Sequence, residues 1–211
     1  VHHAEHPTSL LADVTAATHP WYHIDMRTPR KTVLTLVTLA VSVSCIERPE
    51  QPHTQPIAPQ ERAHVQDVLV NGNPAPKHLV GATFDPIELV GYDATPEPAT
   101  RGERVKVTVY YRALEDITDD WEVFVHAEDQ AKQQQRFNVD HYPANGKLHT
   151  NQWHKGDVIR DEYFLVVPSS VSALELWTGF FMDNDRLKIT NQGRGLNDGT
   201  DRLRIGVISA R

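Results

Sequence analysis

Between residues 76 and 211 apolar and polar residues alternate with a period of two. Val105, Val107, Val109 and Tyr111 interleave with Lys106, Thr108 and Tyr110, which predicts a strand with one buried and one wet face. Trp121, Val123 and Val125 interleave with Glu122, Phe124 and His126 in the same way. Residues 87–92, 136–140, 158–167, 174–182, 186–189 and 203–208 predict further strands. Turn-forming clusters separate them: Thr95-Pro96-Glu97-Pro98, Tyr142-Pro143-Ala144-Asn145-Gly146, Pro168-Ser169-Ser170 and Asp183-Asn184-Asp185. Short strands at turn spacings near ten residues, with no long helical period, predict an all-β fold, an antiparallel β-sandwich of about seven to nine strands. A closed barrel is the alternative. Ahead of this body, Val65, Val68 and Leu69 share a helical face, which suggests a short helix over 60–70 closed by the Asn71-Gly72-Asn73-Pro74 turn signal.

A different pattern occupies residues 26–75. Arg27, Arg30 and Lys31 follow Met26, and an apolar run from Val33 to Val43 leads through Ser44 to the single cysteine, Cys45. Positive charge, a short apolar run and then small residues is the layout of a secretory signal. The run falls well below the roughly 20 apolar residues that span a bilayer. The Ser42-Val43-Ser44-Cys45 ending resembles the lipobox of bacterial lipoproteins, although Ser42 stands where the family usually carries Leu, Val or Ile. That resemblance implies cleavage after residue 44 and lipidation of Cys45. Two or more acyl chains, at about 0.8 kcal/mol per buried CH₂, would give stable attachment to a membrane. Ile46, rather than Asp, after the cysteine implies the outer membrane, with the body facing the periplasm or the exterior. Pro49, Pro52, Pro56 and Pro59 then stiffen a polar stretch from Ile46 to Gln60, a tether about 45 Å long at about 3.1 Å per residue. The division is therefore 1–25, an over-extended start with translation beginning at Met26; 26–44, a leader; 45–75, lipidated cysteine and linker; and 76–211, the sandwich.

Composition narrows the function classes. A formal net charge of −7 supplies no positive field for phosphates, which argues against nucleic acid as a partner. One cysteine excludes an internal disulfide framework and Cys-rich zinc or iron–sulfur sites. There is no Gly-x-Ser-x-Gly elbow. The glycines at 193, 195 and 199 are not followed by the helix a phosphate loop requires. No catalytic constellation emerges, and a non-catalytic protein is expected.

The stretch from Glu88 to about Ile189 resembles an immunoglobulin-like β-sandwich module of exported bacterial proteins. It is also similar to the carboxy-terminal sandwich of some membrane-bound glycosyltransferase-like proteins. The resemblance is carried by Leu89-Val90-Gly91-Tyr92-Asp93, Arg101-Gly102-Glu103, Trp121 to His126, Asp140-His141-Tyr142-Pro143 with Gly146, and Gln152 to Asp161. In the last group Asp157 replaces a usual Glu. The resemblance implies an immunoglobulin-like fold and no particular chemistry.

Three kinds of partner follow. The first is another envelope protein. The second is a glycan: flat rings stack on sugar faces, and Tyr110 on a wet strand face with Tyr142 and Trp153 in a loop are the aromatics placed to do so; Trp121, Trp177 and Phe180 lie in apolar strands and are assigned to the core. The third is a divalent metal, Ca²⁺ or Zn²⁺, held by His126, Asp140 and His141, in a metal-binding protein or a metal-dependent enzyme. No cofactor is otherwise expected. Asp140, Asp157 and Asp161 have a competing role, accepting backbone N–H bonds to brace the loop from Tyr142 to Gly156.

Overall fold

The period-two segments do become strands. The computed structural model describes residues 62–131 and 136–211; the expected leader, Cys45 and the expected tether lie outside them. The strands are β1 (His78–Phe84), β2 (Ile87–Thr95), β3 (Arg104–Ala113), β4 (Glu122–Asp129), β5 (Arg136–Asn138), β6 (Val158–Val166), β7 (Ala173–Met182), β8 (Asp185–Arg186), β9 (Leu196–Asn197) and β10 (Leu203–Ser209). They form two antiparallel sheets packed face to face. One has four strands in the order β1-β2-β3-β6. The other has six, in the order β5-β4-β7-β10-β9 with β8 attached to β7. The fold is an all-β sandwich.

The core is what the alternation dictates. Val105, Val107, Val109 and Tyr111 of β3 face Val123 and Val125 of β4 and Leu174, Leu176 and Phe180 of β7, all buried in one cluster. Aromatic rings join the two sheets. Phe180 meets Phe84 at 5.4 Å and Tyr111 at 5.2 Å between centroids, both edge to face, the arrangement that the ring quadrupole favours. Trp121 belongs to the same cluster, as its pattern predicts.

Residues ahead of 76 also belong to the packed body. Over the described part of 60–70 the chain makes a 3₁₀ turn, Ala63–Val65, and by Leu69 it bridges Ile159 of β6. Val65 and Val68 are buried in the main cluster, so their shared face is real but serves a turn and an extended segment. None of the described helices is long and apolar enough to cross a membrane.

Candidate functional site

The loop after β5 carries most of the residues that the sequence singles out. His141 continues the pairing of β5 with β4, exchanging two 2.9 Å backbone hydrogen bonds with Val123. Its side chain crosses to the other sheet, where Nε2 lies 2.9 Å from Asp161 Oδ2 and Nδ1 lies 2.8 Å from the Val139 carbonyl. The carbonyl can only accept, and an ionised Asp161 can only accept, so this geometry suits a ring protonated on both nitrogens. Burial disfavours the charged ring, but the Asp161 hydrogen bond and charge, with the Val139 carbonyl and Asp140, outweigh it and hold the His141 pKa above its ordinary value. Asp161 is 0% exposed and also accepts the Ala144 N–H at 2.9 Å. Together these groups tie the edges of the two sheets.

Asp140 accepts the Val125 N–H at 3.0 Å, and Asp157 accepts the His154 N–H at 2.8 Å. All three aspartates therefore brace backbone. His126 points to the outer face of the six-stranded sheet, beside Phe124 at 5.0 Å. Burial first, and then Arg136, pushes its pKa down. The charge of Asp140 acts on both histidines, but His141 is committed to Asp161. Among the described residues no group of three or more His, Cys, Asp or Glu side chains could hold a metal ion.

The aromatic trio is dispersed. Tyr110 lies on the outer face of the four-stranded sheet and donates its hydroxyl to Asp93 at 3.3 Å. Tyr142 is 38% exposed and rests on His149 at 4.5 Å. Trp153 corrects the expectation of a loop aromatic open to ligand: it is 1% exposed. Its Nε1 donates to the Leu148 carbonyl at 3.1 Å, and its ring lies 6.1 Å from Tyr111. The loop folds this ring under itself to close one end of the core, where no sugar can stack. Trp177 is buried as expected, but outside the main cluster. It points away from the core, onto the outer face of the six-stranded sheet, and is buried there under Arg202, whose guanidinium stands 4.3 Å over the ring. Arg202 also binds Glu128 at 2.5 Å and Asp198 at 2.8 Å, while Arg204 binds Glu175 at 2.6 Å. Trp177 is thus sealed by satisfied arginines.

The sheet edges differ in how they are covered. The free side of β1 is paired by residues 190–194: Thr83 N–H donates to the Asn191 carbonyl at 2.7 Å and Arg194 N–H to Val80 at 2.8 Å. The first half of β6 is paired by residues 68–70: Val70 N–H donates to Val158 and Arg160 N–H to Val68, both at 2.8 Å. In the six-stranded sheet the edge strands are the short β5 and β9. The second half of β6 has no such strand along it among the described residues. There Phe164 is 48% and Val166 59% exposed, side by side on the outer face. Arg104 of β3 leans across, its guanidinium 4.3 Å over the Phe164 ring. Lys106, cross-strand from Phe164, binds Glu162 at 3.2 Å. Native sheets normally blunt such an edge with charge, proline or a covering segment; this stretch carries two apolar side chains instead. The sequence signal was the run Glu162-Tyr163-Phe164-Leu165-Val166-Val167, apolar on both faces, which reads as a fully buried strand.

A cavity of about 320 Å³ lies between residues 62–72 and Gly156–Val158, with its Arg62 spent on Asp157 at 2.6 Å. No protein-family model matches the chain, and no curated protein matches it.

Proposed function

We propose that this chain is a non-catalytic lipoprotein of the bacterial cell envelope, whose immunoglobulin-like sandwich binds another protein at the membrane surface. The observation that carries the binding reading is the pair Phe164 and Val166, apolar and exposed on a half-strand along which no strand lies among the described residues. An edge of this kind invites pairing with another chain. The two packed antiparallel sheets are compatible with the immunoglobulin-like kinship. The basic flank, the apolar run and the cysteine that ends it support lipid attachment through Cys45, and Ile46 supports the outer membrane. The burial of Trp153 removes one of the three rings on which glycan binding rested, and the commitment of His141 to Asp161 weakens the metal reading. Protein contact is therefore preferred.

Two measurements test this in the native envelope. Intact mass of the membrane-extracted protein should show a chain beginning at Cys45 and carrying acyl groups; an unacylated cytosolic chain that keeps residues 26–44 would refute the anchor. A photo-reactive phenylalanine at position 164 should crosslink a discrete protein, whereas the same probe at exposed Lys188 should not. Equal labelling from both positions would refute the edge as the contact.

A further inference from the structure

We infer that the open half of β6 receives an extended acidic peptide, which joins the four-stranded sheet as a fifth strand; this rests on the reading of that edge as the contact surface. Ladder parity fixes the available main-chain groups. Val158 and Arg160 turn theirs toward residues 68–70, and every second residue of a strand faces the same neighbour. Glu162, Phe164 and Val166 therefore turn theirs the same way. The Glu162 carbonyl takes the Asn145 side-chain amide at 3.2 Å. Past that point, no main-chain group among the described residues pairs with Phe164 or Val166 on this side. A guest strand would exchange backbone hydrogen bonds with both.

The side chains define the guest. Its outward positions lie beside Phe164 and Val166, so alternate apolar residues are favoured, as in other strand additions. The guanidinium of Arg104 reaches over Phe164 toward the open side, and among the described residues no carboxylate pairs with it. A Glu or Asp on the guest would complete that charge. A second copy of the chain fits less well. A two-fold axis through Phe164 would bring two Arg104 groups over adjacent rings, and would set each Val166 against a Glu162 whose carbonyl is already engaged.

The test uses the full chain and arrayed seven-residue peptides with Val, Ile or Phe at alternate positions, flanked by either Glu or Lys. Wild type should retain the Glu-flanked set at least tenfold more strongly than the Lys-flanked set. Arg104→Glu should reverse that preference. Val166→Pro removes an edge N–H that serves no bond within the sheet, a position where proline is tolerated, and should abolish retention with the melting temperature nearly unchanged. N-methylation of the guest residue opposite Phe164 should do the same from the peptide side, whatever the fate of the proline variant. Equal retention of the two sets, or indifference to both Val166→Pro and N-methylation, overturns the peptide strand. Dimerisation of the full chain that Val166→Pro abolishes gives the edge to a second copy, which overturns the peptide and leaves the contact surface standing. If no peptide is retained and position 164 crosslinks nothing in the envelope, both fail.

Discussion

Asp161 is the deepest charge in the sandwich, and its partner His141 reaches it from the other sheet. The folded state holds the His141 pKa above that of a free imidazole, about 6.5. The stabilisation from its protonation is therefore complete below that pH and is lost as pH rises through the higher folded value. His126 has the opposite sign. Its folded pKa is depressed, by burial and by Arg136, so it takes stability away as pH falls below about 6.5. Melting temperatures between pH 5 and 9 should separate them. The deficit of His141→Gln relative to wild type should be largest at the acid end and shrink toward pH 9, while His126→Gln should gain on wild type only at the acid end. Parallel curves for wild type and both variants would show that neither ring titrates differently in the fold. Removing the acceptor is a harsher change. Asp161→Ala leaves the His141 ring and the Ala144 N–H facing an apolar interior, a kind of loss that costs about 3–5 kcal/mol in buried pairs.

The elements are held in register by close backbone approaches. A Cβ on Gly91 would overlap the His78 carbonyl and lie 2.7 Å from Pro76 Cγ, where β1 passes over an irregularity in β2. Gly91→Ala should push β1 off its neighbour at a cost of about 1–3 kcal/mol, the range for overpacking, with faster amide exchange confined at first to β1. Unchanged exchange in β1 would mean that the strand shifts freely. β1 is also the long strand that local pattern does not reveal. Gly81 takes φ +63° inside a register shift between Leu79 and Ala82, which breaks the alternation at its centre. By contrast β3, β4, β6 and β7 are legible because their inward residues repeat at every second position, whereas β10 carries an irregularity between Arg204 and Gly206 that sets its inward residues at 203, 205 and 208. The candidate site was less so. Whether Trp153 is covered depends on Tyr111, and whether Trp177 is covered depends on Arg202, residues brought near by tertiary packing. The pattern over 158–167 shows a strand but not that Phe164 and Val166 are exposed, because only the sheet order places β6 at an edge among the described residues.

At the scale of the molecule, the connections are uneven. β1, β2 and β3 follow one another as neighbours, but β3 meets β6 only after β4 and β5 have been laid into the other sheet. The position of β10 has a further consequence. Leu203–Ser209, which follows the other described strands in sequence, lies inside the six-stranded sheet between β7 and β9, and its Leu203, Ile205 and Ile208 fill the core. Without residues 203–209 the sandwich has a slot between β7 and β9, and the body cannot close until they are added. Chains truncated after Arg202 should stay sensitive to protease, while chains that include residues 203–209 become resistant. On the export proposed above, late closure of this kind would keep the polypeptide pliable while it is threaded across the membrane.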